Sequence, residues 1–427
     1  MNIWIINHYI DVPGKGRYLR HYNFAKELQK RGHNVTLFTA STTHGTDLNV
    51  INDEKKYKEE IIDSLKFVYI KAKNYTGNGK DRVINMIQFY KNLLSVSKKY
   101  SGVDVVYCSA PHSLTWLASR KIAKNNHAKL ICETRDLWPE TFIEMGKFSK
   151  NHPVAKILYA IEKSVYKSSD ALIFTMEGGK DYLKSRGINR DNVFHINNGV
   201  VLEDFNESIK KYHLEDVDLD DKNIFKVVYT GALGRANQVD TLIDAMNKLS
   251  DYEDIKLIVY GKGEFEASLI KKVRENSQKN VVFKGSVDKR YVPSIVTRSD
   301  LNVITGQDIN LYKYGMSFNK LFEYLAANKP ILSNLKCNYD IIEKFNCGKT
   351  VKSGSADALR DGILYFYNLK DIDYKQFCEN SKEAAANYDY KILTDKLEDI
   401  FKTLNGGFWW TYHCWIWKDN IKTLKKK

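Results

Sequence analysis

No run of eighteen or more apolar residues occurs in this 427-residue chain, so no segment reads as a membrane-crossing helix. The opening stretch Met1-Asn2-Ile3-Trp4-Ile5-Ile6-Asn7-His8-Tyr9 has neither a basic leader nor a small-residue cleavage site, and is expected to form the first strand of a folded domain. Cysteine is sparse: Cys108, Cys132, Cys337, Cys347, Cys378 and Cys414 show no paired spacing. That scatter points to reduced thiols in a cytoplasmic protein and away from a zinc site. An arginine-rich stripe and a nucleic-acid-binding motif are also missing, although the formal net charge is +14. The excess is mostly lysine spread along the whole chain. A phosphorylated substrate and an anionic membrane surface are therefore the expected partners, and nucleic acid is not.

What is present is enough apolar material for packed interiors, 43% of residues, in a chain too long for one ordinary core. Strand patterns at 3–7, 35–39, 67–70, 103–108, 129–133, 171–175 and 193–196 alternate with helical patterns at 19–30, 83–98, 114–124 and 154–167. Strand, crossover helix, strand repeated in this way predicts a doubly wound parallel sheet over residues 1–200. Residues 201–224 read as a charged linker, with Asp216, Asp218, Asp220 and Asp221 in close succession. The same strand–helix grammar then restarts over 225–386, and a final helix is expected at 387–404. The Asp-x-Asp triplets of the linker lie in a polar run, not at the end of an apolar strand, so they are expected to be solvated and not to hold a metal. Residues 405–427 change composition abruptly, with Trp409, Trp410, Trp415 and Trp417 beside a lysine cluster. An interfacial anchor, a frameshifted or appended tail, and core-packed aromatics all remain open for them.

Several residues are singled out by chemistry. Glu323 is a lone carboxylate on the apolar helix pattern Ser317-Phe318-Asn319-Lys320-Leu321-Phe322-Glu323-Tyr324-Leu325. A carboxylate in that setting needs partners, which paired sugar hydroxyls, a cap or a salt bridge would supply. Gly14 and Gly16 sit in a turn between the first strand and the first helix, where backbone N–H groups can approach an anion. Gly231 and Arg235 follow a strand in Thr230-Gly231-Ala232-Leu233-Gly234-Arg235, and a guanidinium fork suits phosphate oxygens. Gly261 belongs to a Gly-Lys-Gly turn. Arg135 and Asp136 lie in Glu133-Thr134-Arg135-Asp136-Leu137-Trp138-Pro139-Glu140, just past a strand end, where a working loop or an internal salt bridge with Trp138 in the core would both fit. His112 closes Ser109-Ala110-Pro111-His112 at the end of another strand. His33, in Arg31-Gly32-His33-Asn34, reads as a turn residue.

The Ser317-to-Leu325 phrase resembles the nucleotide-ribose-binding helix of retaining glycosyltransferases of family 4, and the resemblance extends from Met1 to about Leu404. Arg135-Asp136-Leu137-Trp138-Pro139-Glu140 is similar to the bacterial surface-polysaccharide branch that contains WbuB-like amino-sugar transferases. The resemblance implies the GT-B architecture, two doubly wound α/β domains facing each other across a cleft, with the last helix bracing the first. It implies transfer of a sugar, an N-acetylated deoxyamino sugar in this branch, from a UDP-sugar donor to a polyprenyl-diphosphate-linked saccharide, with retention and without metal or other cofactor. The expected place is the cytoplasmic face of the cell membrane.

By the same resemblance Glu323 binds the ribose. Gly14, Gly16, Gly231, Arg235, Gly261, Lys320 and Leu321 line the donor, and His112, Arg135 and Asp136 serve the sugar. The family's motif places a second glutamate eight positions before the ribose carboxylate, and Gly315 stands there instead. Backbone N–H groups of Gly315, Met316 and Ser317 would then face phosphate or sugar. A UDP-sugar 2-epimerase of the same fold, or a non-catalytic sugar-nucleotide-binding partner, are the competing expectations.

Overall fold

A computed structural model describes residues 1–12, 14, 19–44, 46, 48–77, 79–110 and 112–406. The chain divides into two compact units: unit 1 is Met1–Ile196 together with the chain from Lys391, and unit 2 is Asn197–Tyr390.

Unit 1 begins with β1 (Asn2–Asn7), α1 (Arg20–Lys30), β2 (Asn34–Ala40), β3 (Tyr57–Ile62), β4 (Leu65–Ile70) and α2 (Lys80–Val96). It continues through β5 (Val105–Ala110), α3 (Ser113–Asn125), β6 (Lys129–Thr134), α4 (Glu140–Glu144), α5 (Pro153–Ser168), β7 (Ala171–Phe174), α6 (Gly179–Ser185) and β8 (Val193–His195). Its eight-stranded sheet has the order β3-β4-β2-β1-β5-β6-β7-β8. The chain builds outward from β1 through β2, then crosses to β5 on the other side. The β1/β5 junction is thus a topological switch point, where ligands of such sheets bind beyond the carboxyl ends of the strands.

One strand departs from the expected pattern. β3 pairs antiparallel with β4 through a two-residue turn in which Asp63 and Ser64 have φ of 49° and 65°. That is the left-handed conformation a tight hairpin needs. The half-exposed strand Tyr57-Lys58-Glu59-Glu60-Ile61-Ile62 carries no strong apolar signal of its own.

Unit 2 opens with α7 (Leu202–Lys211) and α8 (Val217–Asp220), then β9 (Phe225–Thr230), α9 (Val239–Asn247), β10 (Ile255–Tyr260), α10 (Glu266–Glu275) and β11 (Val281–Gly285). There follow α11 (Val292–Thr297), β12 (Leu301–Ile304), α12 (Asn319–Ala326), β13 (Ile331–Ser333), α13 (Ile341–Phe345), β14 (Gly348–Thr350), α14 (Ala356–Tyr367) and α15 (Asp371–Asn387). The last helix, α16 (Tyr390–Leu404), carries the chain back into unit 1. The six strands are all parallel in the order β11-β10-β9-β12-β13-β14, so the switch point lies between β9 and β12.

Both faces of this sheet are covered, as a purely parallel sheet requires. Val227 and Tyr229 pack in one apolar cluster with Leu242, Leu257 and Val303. Val228, next along the same strand, packs in another with Ile258, Ile295 and Leu219. Leu219 belongs to the segment expected as a charged linker, and that expectation is corrected here. Residues 201–224 carry two helices, Leu219 is buried, and the acidic run is neutralised locally. Asp216 and Asp218 hold Lys284 at 2.8 and 2.6 Å, and Asp218 also holds Lys256 at 2.8 Å. Burying Leu219 contributes roughly 1.5–3 kcal/mol, which a hydrophilic average over the segment conceals.

Candidate functional site

The strongest cluster in unit 2 forms where β9 ends. Gly231 has φ of 148°, and a methyl group there would stand 2.8 Å from the Lys320 ammonium. The next strand's turn presses on the same spot, since a Cβ on Gly261 would fall 1.8 Å from the Gly231 carbonyl oxygen. Gly261 is therefore required by backbone contact, and Gly231 by its positive φ. Lys320, in the first turn of α12, donates to the Tyr229 hydroxyl at 3.1 Å and to Asn237 Oδ1 at 3.4 Å. Burial pushes its pKa down to about 8, against the pull of Glu323 and with the help of Lys289. α12 has no side-chain cap and no acid in its first turn, so its positive end adds to the lysine. Tyr324, fully buried on the same helix, accepts from the Thr230 N–H at 2.8 Å and locks α12 to the end of β9. Leu321 is buried beside it.

Other donor-side expectations meet the structure unevenly. Arg235 is exposed at the start of a short 3-10 turn and makes no ion pair among the described residues. Glu323 is part-buried, and its carboxylate accepts from the ammonium of Lys289, a side chain 66% exposed. Of the three backbone N–H groups expected to face a ligand, that of Gly315 is already spent on the Tyr312 carbonyl at 2.9 Å. Ser317 is held as well: Asn198 donates from its backbone N–H to Ser317 Oγ at 3.0 Å and from Nδ2 to the Ser317 carbonyl at 2.7 Å. The N–H groups of Met316 and Ser317 have no acceptor among the described residues.

Unit 1 gathers a second cluster at its own switch point. His112 caps α3 directly after β5, is buried, and places Nε2 3.0 Å from Nδ1 of His8, which follows β1. Gly14 lies in the turn after β1 with φ of 78° and open space around it, whereas Gly16 falls outside the described residues. Arg135 follows β6 with a buried Nε that has no hydrogen-bond partner among the described residues. Asp136 is exposed, its carbonyl accepting from the Trp138 N–H at 3.0 Å. Within the same phrase Glu133 turns out to be the internal ion pair. It is fully buried, accepts from Arg20 Nε at 2.9 Å and Nη2 at 2.7 Å, meets His21 Nε2 at 3.1 Å, and takes the Tyr107 hydroxyl. Burial alone would push its pKa up, but Arg20 and His21 hold it well below the usual carboxylate range. Trp138 is only part-buried, edge-on to Phe142 at 4.1 Å; Leu137 supplies the core contact instead.

Sequence reasoning missed Tyr324, Asn237, His8 and Asn85. Tyr324 stands one place after Glu323 and could have been found, because a tyrosine on the buried face of a helix must bond its hydroxyl to something. Asn85 and His8 gave no such signal, being 77 residues apart in sequence. A cavity of about 570 Å³ elsewhere in unit 1 is lined by Asn49, Lys71, Lys73, Asn74, Ile87 and Lys91 among others. It includes none of the expected residues and reads as a lysine-rimmed surface groove beside α2. Among the described residues no group of three or more His, Cys, Asp or Glu side chains is placed to hold a metal ion.

Comparison with known proteins agrees with this architecture. Residues 20–204 match the family described as Glycosyltransferase Family 4, and residues 213–385 match Glycosyl transferases group 1. No curated protein matches the chain significantly in sequence. Among solved structures, sucrose-phosphate synthase from Thermosynechococcus elongatus superposes with a TM-score of 0.71 at 16% identity, covering 94% of this chain and 98% of that one. Alr3699/HepE of Anabaena in complex with UDP gives 0.66 at 13%, covering 94% and 100%. WaaG, a glycosyltransferase involved in lipopolysaccharide biosynthesis, gives 0.65 at 15%, covering 95% and 100%. At these identities the likeness establishes the fold, two parallel-sheet α/β units of GT-B type.

Proposed function

Because the chain belongs to the family 4-type glycosyltransferases, we propose that it moves a sugar from a UDP-sugar to a lipid-linked saccharide with retained configuration, in bacterial surface-polysaccharide assembly. The observation that carries this reading is the Lys320 ammonium held against Gly231 at the uncapped start of α12, one turn from Glu323. A diphosphate suits that cluster: Lys320, Arg235 and the helix end balance the charge that develops as the sugar leaves. Glu323, in exchanging Lys289 for the two ribose hydroxyls, gains charge-assisted bonds of roughly 1.5–3 kcal/mol each. Structural neighbours solved with UDP, with UDP-glucose, and with UDP-2-fluoro glucose support a UDP-sugar as the donor.

Unit 1 is assigned the sugar side, through His112, Arg135 and Asp136. No side chain is assigned as a nucleophile, so the leaving diphosphate is proposed to take the acceptor's proton on the same face of the sugar. A WbuB-like amino-sugar donor is supported by the Arg135-to-Glu140 phrase. Association with an anionic membrane is supported by the net charge of +14 and by exposed Val83, Ile84 and Ile87 on α2 beside Lys80 and Lys91. No helix among the described residues is long and apolar enough to cross a membrane.

The test is a panel of UDP-sugars, amino sugars included, offered with polyprenyl-diphosphate-linked acceptors in the presence of a chelator. Acceptor-dependent UDP release with a retained product is expected. UDP-sugar consumed without acceptor would favour an epimerase, and binding without any release would favour a non-catalytic partner.

A further inference from the structure

The environment of His112 fixes more than its position. The amide of Asn85 is oriented by two neighbours: Nδ2 donates to the Lys73 backbone carbonyl at 2.6 Å and lies 3.1 Å from Thr42 Oγ1. A carbonyl oxygen can only accept, so the Lys73 contact leaves Asn85 Oδ1 facing His8 Nε2, 2.7 Å away. His8 Nε2 must therefore carry the proton. A second proton on His8 would place a full charge among fully buried groups, with Phe89 packed 4.4 Å from the ring, and burial pushes the His8 pKa down to about 3. His8 Nδ1 is thus a bare lone pair, and His112 Nε2, 3.0 Å from it, must be the donor. Thr115 Oγ1 lies 3.4 Å from the same nitrogen as a weaker second acceptor. Burial, His8 and Arg82 all oppose a charge on His112. His112 Nδ1 is left as a buried lone pair with no hydrogen-bond partner among the described residues, at the N-cap position of α3.

We infer that the Lys73–Asn85–His8 relay holds His112 as its Nε2–H tautomer, making Nδ1 a site that accepts from a carbohydrate hydroxyl or amide N–H and turns away carboxylate and phosphate oxygens. The identity of the ligand rests on the glycosyltransferase reading; the tautomer does not. The relay makes Asn85 and His8 positioning residues. They act through His112, and they span the switch point of the unit 1 sheet, since His8 follows β1 and His112 follows β5. A hydrogen-bonding site of this kind discriminates through the cost of an unmatched partner: two facing lone pairs leave both groups unpaired.

The experiment is a long-range proton–nitrogen correlation spectrum of the full chain labelled at histidine, near pH 7, with signals assigned by His8→Gln and His112→Gln. Both rings are expected as Nε2–H tautomers with bare Nδ1. A His112 signal from the Nδ1–H form, or from a charged ring, overturns the inference without touching the proposed function. In Asn85→Leu the single tautomer should give way to a mixture, and acceptor-dependent turnover should fall roughly tenfold with UDP affinity unchanged. A mixed tautomer with unchanged turnover overturns the positioning role. If Asn85→Leu does not fold, the wild-type spectrum still decides the tautomer. Titrating UDP isolates the other reading: a protein with the expected tautomer that binds no UDP would refute the glycosyltransferase proposal and leave the relay standing.

Discussion

The ammonium of Lys320 sits 4.3 Å from the centroid of the Tyr229 ring and donates to the hydroxyl of that same ring at 3.1 Å. The ring face attracts the cation, by about 0.5–2 kcal/mol in such settings, without neutralising it. Glu323 is the nearby carboxylate, yet its partner in this structure is Lys289. Lys320 is thus a desolvated cation that, among the described residues, hydrogen-bonds to dipoles and not to a carboxylate, and burial brings its pKa down to about 8. An arriving diphosphate would restore the missing counter-charge and raise that pKa again.

A pH dependence follows from the sign of this shift. The lysine is charged below about pH 8 and neutral above it, so UDP should bind most tightly near pH 7. Affinity should fall by roughly a factor of ten per pH unit once Lys320 loses its proton. Calorimetry in buffers of different ionisation enthalpy should show proton uptake on binding near pH 8. Lys320→Met should cost about 1.5–3 kcal/mol of UDP affinity and flatten the profile. A flat wild-type profile from about pH 7 to about pH 9.5 would remove Lys320 from the phosphate site.

Glu323 separates ribose from phosphate. Glu323→Ala should weaken UDP by about 1.5–3 kcal/mol and leave the binding of 2′,3′-dideoxy-UDP unchanged, because that ligand has no hydroxyls to lose. Lys289→Ala removes an exposed pair, worth at most about 1 kcal/mol to stability, and should not weaken UDP. A large affinity loss in the Lys289 variant would mean that Glu323 serves to hold that lysine.

The doubly wound halves were legible because each buried parallel strand is a short apolar run set between helices with a 3.6-residue period. Glycines 231 and 261 were legible as turns, but the reason only glycine fits at 261 is a contact between the ends of two strands thirty residues apart. Acidic residues misled in two directions. Asp216 and Asp218 looked like a solvated linker, yet they pair with Lys256 and Lys284 from strands further along. Glu133 stood in a phrase that looked catalytic, yet it is consumed by Arg20, 113 residues earlier. His33 was read as a turn residue, and it does sit just before β2, but its ring meets Glu398 of α16 at 2.9 Å. For Glu133 local pattern gave the strand and for His33 the approach to β2, while for Asp216 and Asp218 it missed the helix; the long-range partner was hidden in all of them, because periodicity carries no information about such pairs.

Close approach makes Gly261 a sharp test of the donor pocket. A Cβ there would fall 1.8 Å from the Gly231 carbonyl oxygen, a backbone atom that cannot rotate away. Gly261→Ala should force the two turns apart, costing about 1–3 kcal/mol of stability and most of the UDP affinity, as read by thermal unfolding with and without UDP. Gly14→Ala offers the contrast. Its Cβ meets nothing within 4 Å, so only the positive φ is penalised, at roughly 1–2 kcal/mol of stability.

Glu133 predicts how the fold responds to acid. Its carboxylate is buried against Arg20 and His21, with a folded-state pKa well below its usual value of about 4.5. A depressed carboxylate contributes stability that is fully present above the unfolded pKa and is lost as pH falls toward the folded one. Unfolding midpoints in urea should therefore hold steady down to about pH 5 and then decline. Glu133→Gln cannot ionise and leaves Arg20 buried without its counter-charge. It should cost about 3–5 kcal/mol near pH 7, and the gap to wild type should narrow as pH drops below about 4. UDP affinity measured on the folded fraction of this variant should match wild type, because Glu133 acts by tying α1 to β6. A variant that keeps its stability but loses turnover would instead place Glu133 in the chemistry of the sugar.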